Sequence, residues 1–280
     1  MSERSLPAHI EAALQGNLTD SAGRPWAGRD LSGEKNPLHR FEDDDGACDP
    51  GYACAIAGLR QGRADEPAII SALAAARVFI PVVAQLGAAS DGVESLPADK
   101  EADMVLATLR APDGRLALPV FSTTDALEHW HPQARPVAVY AARAALAAVA
   151  EQADLMVVDP GADLTFVVRR PAVWALARQQ EWVPAYQDPQ LAELITPLVD
   201  AEPALRAMMI SAGSGVSSRT SAGDILPGGG AGPELRLAIT LVPGLSAAGV
   251  QAITARLRAS LQSERAFVER VDSLEITVSG

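Results

Sequence analysis

Between Arg77 and Tyr186 the chain alternates short β-branched runs with alanine-rich amphipathic ones. That alternation limits the fold more than any other feature. "RVFIPVVA" (77–84), "RLALPVFS" (115–122), "PVAVY" (136–140), "LMVVD" (155–159) and "LTFVVRR" (164–170) have the length and residue types of strands. Between them Ala142, Ala145, Leu146 and Val149 recur at i, i+3, i+4 and i+7, the period of a helix with one buried face. Glu66-Pro67 opens another helix, with Ile70, Leu73 and Ala74 on one face, and Pro171 opens a third carrying Val173, Trp174 and Ala177. Asp49-Pro50 reads as an N-cap followed by proline at the first helical position, with a helix to about Arg60. Strands interleaved with helices require a mixed β-sheet with flanking helices, an α/β (α+β) body. Pro81 suggests that its strand lies at an edge or a bulge. Asp113-Gly114 joins "DMVLATLR" and "RLALPVFS" as a hairpin.

Beyond the body, a helix near 189–200 leads to the strand "LRAMMISA" (205–212). "GSGVSSRTSAGDILPGGGAG" (213–232) reads as a mobile loop. "ELRLAITLV" (234–242), a helix over 246–262 and "LEITV" (274–278) complete a small β-β-α-β unit. Residues 16–46 are rich in breakers but carry Trp26, Leu31 and Phe41 at intervals, as in an extended arm anchored on the body or on a partner. The expected organisation is an N-terminal arm (1–46), an α/β domain (47–187) and a C-terminal α+β domain (188–280).

The formal charge of −12 opposes binding to nucleic acid or to an anionic membrane. Residues 1–14 carry Glu3 and Glu11 and lack the apolar core of a signal peptide, and Pro67–Leu86 is too broken to span a membrane. Cys48 and Cys54 give neither a disulfide framework nor a zinc set. The expected location is the cytoplasm.

The densest chemistry lies in "PVFSTTDALEHWHPQARPV" (119–137). Ser122-x-x-Asp125 resembles a capping box, and His129 lies seven residues along the helix it would start. At ~1.5 Å per residue that is roughly 10 Å, too far for a histidine to activate the serine. Asp125 and His129 are i, i+4 neighbours that can pair on the surface. His129 and His131 have no third local metal ligand, so no metal site is expected. "EDDDGACD" (42–49) fails as a calcium loop because Ala47 and Cys48 fall where a ligand and the turning glycine belong. "GSGVSS" and "PGGGAG" lack the third glycine and the lysine of nucleotide loops, so no cofactor is expected. Cys48 precedes a helix N-terminus, where a thiolate can be stabilised, and Cys54 reads as core.

The arginines are harder to set aside. Arg135, before Pro136, and Arg169-Arg170, before Pro171, sit at element boundaries where loops present groups. They suit a carboxylate, a phosphate or an acidic partner, or else pair internally with Asp159, Asp125 or nearby carboxylates. With Trp174 and Trp26 they form the expected binding set.

"ARVFIPVVA", "DKEADMVLATLRAPDGRLALPVFSTTDALEHWHPQARPVAV", "EQADLMVVDP" and "VVRRPAVWALARQQEWVPAY", in that order over 77–186, resemble the N-terminal domain of the SseB family in the long form of high-GC bacteria. "DSAGRPWAGRDL" and "ERVDSLEITV" are similar to the same subgroup. The resemblance implies an α/β fold, and no established activity or catalytic residues. The family name is also associated with sulfurtransferases, but neither cysteine lies in the amide-lined loop a persulfide requires.

The leading expectation is a non-catalytic cytoplasmic binding or adaptor protein with an unknown protein partner, or a homo-oligomer. The alternatives are a sensor of a small anionic ligand with an Arg-lined pocket between the two domains, its lid the 213–232 loop, and an enzyme using Cys48 or the Asp99/Lys100/Asp103 cluster.

Overall fold

The computed structural model describes residues 41, 44–86 and 102–279. Trp26, Leu31, Asp99 and Lys100 lie outside the described residues, as does the side chain of Asp103.

Helix α1 (Pro50–Arg60) starts where Asp49 accepts hydrogen bonds from the Gly51 and Tyr52 amides, with proline at its first position. Asp65 caps α2 (Glu66–Ala75) by accepting from Ala68 N. Strand β1 (Arg77–Leu86) is the centre of an antiparallel sheet, between β2 (Ala102–Leu106) and β5 (Arg135–Tyr140). A second sheet has the order β3 (Leu109–Arg110), β4 (Leu116–Val120), β6 (Leu155–Val158), β7 (Phe166–Val168), with β4 and β6 parallel. The chain passes from β4 to β6 through α3 (Thr124–Trp130), β5 and α4 (Ala141–Ala150). Reciprocal backbone bonds between Phe79 and Phe121 stitch the two sheets together. The body core, including Leu59, Ile69, Leu73, Leu118, Met156, Phe166 and Leu176, lies among α1, α2, α4, α5 (Arg170–Arg178) and the sheets.

A 3₁₀ turn at Ala185–Gln187 leads to α6 (Pro189–Asp200) and then to a three-stranded sheet. Its order is β12 (Leu274–Ser279), β11 (Leu235–Leu241), β8 (Leu205–Ala212). Along β11 the residues alternate buried and half-buried. Leu235, Leu237, Ile239 and Leu241 therefore face α6, α7 (Ala247–Ser263) and α8 (Arg265–Arg270) in a separate apolar cluster. Gly46–Gly280 is one compact unit, α/β with mixed sheets, and among its described residues no helix is long and apolar enough to cross a membrane.

Four local expectations are corrected. "DMVLATLR" is not one strand: β2 pairs with β1, β3 pairs with β4, and the break falls at Ala107, whose amide donates to Pro81 O. The Asp113-Gly114 turn does join β3 to β4. Pro81 lies in a central strand, opposite Pro136. Phe79 spends its amide and carbonyl on Phe121, so two residues on the backbone again points away from β5, and neither proline removes a bond from that ladder. In α4 the buried face is Ala141, Ala142, Ala144, Ala145 and Ala148, whereas Leu146 and Val149 are exposed. Small side chains let α4 pack closely on its neighbours, and the larger ones are turned outward. Cys54 is exposed, because α1 buries Tyr52, Gly58 and Leu59 instead.

Segment 213–232 is not a mobile loop. It contains the hairpin β9 (Ser217–Arg219) and β10 (Ile225–Gly229), and Leu226 joins the body core. Gly215 and Gly232 cross so closely that a Cβ on either would overlap the other's backbone. Glycine serves close approach here, not flexibility.

Candidate functional site

Two polar clusters stand out. The first lies at the carboxyl ends of the parallel strands β4 and β6, where open α/β sheets place their sites. Asp159, directly after β6 and in the left-handed region at φ 51°, accepts a hydrogen bond of 2.7 Å from Ser122 N, just past β4. Its carboxyl is held above the usual range by burial, against the opposing pull of the Ser122 amide and hydroxyl. The Ser122 side chain lies close enough to the Cys48 thiol to lower its pKa. Arg77 donates to the carbonyls of Ser122 and Ala47 and lies 4.1 Å over the Phe79 ring.

This cluster corrects two expectations. The cap of α3 is Thr123, which accepts from Ala126 N, because the helix starts at Thr124, one residue later than a Ser122 cap requires, while the Ser122 amide goes to Asp159. The Cys48 thiol is raised above its ordinary value chiefly by burial, which outweighs the lowering pull of Ser122, with the Asp159 and Asp49 carboxylates adding to it and Arg77 opposing. A stabilised thiolate does not form at this helix start. Among the described residues no histidine joins the cluster: His129 pairs its Nδ1 with Asp125 O at 2.7 Å on the exposed side of α3, and the His131 ring lies tilted beside Trp130. In single-cysteine variants at about pH 8, the exposed Cys54 is expected to react with a disulfide reagent at least about tenfold faster than Cys48. Equal rates would show that the Cys48 thiol is not suppressed.

The second cluster forms around Arg169, which is 1% exposed. Its Nη1 donates to Gly232 O (2.7 Å), and its Nη2 donates to Gly215 O (2.8 Å) and Gly230 O (2.7 Å). Glu66 Oε1 stands 3.8 Å from its Nε, and Asp272 Oδ2 stands 3.6 Å from its Nη1. Glu66 Oε1 accepts from Gly229 N, while Oε2 is buried without a hydrogen-bond partner. Glu234 is fully buried and accepts from Asp272 N (2.7 Å) and Ala185 N (3.3 Å). Asp272 binds Arg115 at 2.8 Å.

Among the sequence-selected arginines, only Arg135 is exposed at the start of β5. Both terminal nitrogens of Arg169 are taken up by the crossing backbone. Its carboxylate neighbours are Glu66 and Asp272 rather than Asp159 or Asp125. Arg170 donates to the carbonyls of Val268 and Val271 and sits 5.5 Å from the Trp174 ring centroid. With 213–232 pinned by these contacts, it is not a lid. Glu66, Glu234 and Asp272 were not legible as a cluster: Glu66 reads as an ordinary helix-start acid, and the other two are far from it in sequence.

No curated protein and no solved structure matches the chain. Residues 53–175 match the SseB protein N-terminal domain, a span that holds Ser122, Asp159, Arg169 and Glu66 but ends before Glu234 and Asp272. Over those residues the chain is similar to the SseB family.

Proposed function

We propose that this SseB-like protein is a non-catalytic binding or adaptor protein, working in the cytoplasm, and that its contact surface is built on β5 and the outer side of α4. The observation that carries this reading is the inverted helix. Leu146 is 49% exposed and Val149 44%, while five alanines of the same helix are buried. An amphipathic helix ordinarily turns its large apolar residues to the core. Strand β5 leads directly into this helix and is an edge strand carrying exposed Arg135, Pro136 and Val137. Among the described residues no strand pairs with the outer edge of β5, and the exposed aliphatic side chains beside it suit a protein partner or a second copy of the chain, with Arg135 suited to an acidic group on it.

The polar clusters support the same reading from the other side. The arginines of the 169–170 pair serve internal carbonyls, and the Cys48 thiol is held protonated. The test compares wild type with Leu146→Asp and Val149→Asp by native mass measurement and by affinity capture from the host. Both variants are expected to keep the wild-type circular dichroism and unfolding midpoint within about 0.5 kcal/mol, since exposed sites are tolerant. They are also expected to lose the bound species. A strictly monomeric wild type with a capture set identical to that of the variants would refute the reading.

A further inference from the structure

Strand β8 lies at the edge of the C-terminal sheet, and the direction of its amides can be read from its neighbours. Leu235 N donates to Ser273 O, on the β12 side of β11, and Gly213 N donates to Glu234 O. Leu235 lies opposite Ala212, so these two exchange no bond across the ladder. The alternation of an antiparallel pair sets the rest. Ala207, Met209 and Ser211, opposite Thr240, Ala238 and Arg236, bond to β11. Met208, Ile210 and Ala212 present their N–H and C=O groups outward. Among the described residues nothing pairs with those groups.

Edge strands are normally closed by a charge, a proline, a bulge or shortness. β8 has a bulge at Arg206, where its register with β11 shifts, and no such device after it. Residues 207–213, "AMMISAG", carry neither charge nor proline. Met209 is 63% exposed on the sheet face opposite to the one that Leu237 and Ile239 turn to the helices.

We propose that β8 pairs with β8 of a second copy of this chain, antiparallel about Ile210, so that the two C-terminal sheets become one. The outward groups are symmetric about that residue. Ile210 meets Ile210 of the other copy and Met208 meets Ala212 in both directions, so each pair exchanges both of its bonds. A two-fold contact requires this self-complementarity. The charges agree at the ends. Arg206 is exposed and has no ion pair among the described residues, and this register sets it opposite Ser214 of the other copy. The Ser214 amide and hydroxyl are bonded to Glu275, at 2.8 and 2.6 Å, so a carboxylate stands beside the incoming guanidinium. Between the ends the neutral run brings no like charges together, in a chain of net charge −12. A strand of eight residues supplies fewer contacts than the ~20–30 residues a side of a standard interface, so the dimer is weak and depends on concentration. This surface is distinct from β5 and α4 and goes beyond the reading that rests on them.

Sedimentation of the full chain between about 1 and 200 μM, with residue-resolved hydrogen exchange at both limits, tests the pairing. The wild type is expected to pass from monomer to dimer. The amides of Met208, Ile210 and Ala212 should exchange about fivefold or more slower at the high concentration, while those of Ala207, Met209 and Ser211 stay protected throughout. Ala212→Pro removes an outward N–H and no bond to β11, and Met209→Lys sets two like charges diagonally across the pair. Each is expected to weaken the dimer at least about tenfold with unchanged circular dichroism. If Ala212→Pro does not fold, Met209→Lys and the wild-type exchange pattern decide. A wild type that is monomeric over the whole range overturns the pairing. So does a dimer that survives both variants or leaves the three outward amides unprotected. Protection that appears only with a foreign chain bound gives the edge another occupant and overturns the second copy. A dimer lost in Leu146→Asp but kept in Ala212→Pro sets the second copy on α4 and overturns β8; the reverse supports β8 and leaves the α4 surface to its own capture test.

Discussion

Arg169→Ala is expected to destabilise the protein by about 3–5 kcal/mol, enough to leave a large unfolded fraction at growth temperature. The size follows from what the guanidinium leaves behind. Three carbonyls, that of Gly230 buried and those of Gly215 and Gly232 half-buried, lose their donors, and Glu66 and Asp272 lose a cation at 3.8 and 3.6 Å. Each unsatisfied buried group costs on the order of 1–3 kcal/mol. Arg169→Lys keeps the charge but has no planar fork to span three carbonyls, and it should recover only part of the loss. The adjacent Arg170→Ala is the control. Its guanidinium also meets two carbonyls, but at a half-buried site, and its removal should cost about 1 kcal/mol. The check is urea unfolding at one pH, read as the shift in midpoint at constant slope. Equal losses at 169 and 170 would show that the buried guanidinium is not what holds the crossing segments.

The pairing of these two arginines shows where sequence reading stops. Their position was legible, because the run "FVVRRPAVW" marks the end of a strand and the start of a helix. Their direction was not. Arg169 turns inward and Arg170 outward because α5 begins between them, and what receives Arg169 is a backbone crossing about fifty residues further along the chain. The same division holds elsewhere. The cap at Asp49, the helix start at Glu66-Pro67 and the turn at Asp113-Gly114 were readable because their partners lie within a few residues. Ser122 was misassigned as a cap: the helix starts one residue later, and the Ser122 amide goes to Asp159, just past the neighbouring parallel strand. The α4 periodicity gave the helix but not its buried side, since alanine and leucine both score as apolar and only close packing separates them. The acidic cluster around Arg169 is assembled from three separate places in the chain, and no window of sequence contains two of its buried glutamates.

Glycine-rich sequence was the most misleading signal, and Gly215→Ala exposes why. A linker would accept the methyl group and gain a little stability from a stiffer unfolded chain, by about 0.4–1 kcal/mol. The crossing predicts the reverse. A Cβ at Gly215 would overlap the carbonyl carbon and Cα of Gly232, which are backbone atoms that cannot rotate away. The two crossing segments must therefore separate, and they cannot do so without pulling the Gly215 and Gly232 carbonyls off Arg169. Packing strain and lost charge-assisted bonds then act together, for an expected loss of about 3 kcal/mol or more. Gly223→Ala isolates the backbone component. Gly223 has φ 97° and open space where a Cβ would go, so it should lose only about 1–2 kcal/mol from the left-handed conformation. In a double-mutant comparison, Gly215→Ala and Arg169→Ala should be far from additive, because each already breaks the contact that the other removes. Additive losses would separate the crossing from the guanidinium and leave the glycines as passive chain.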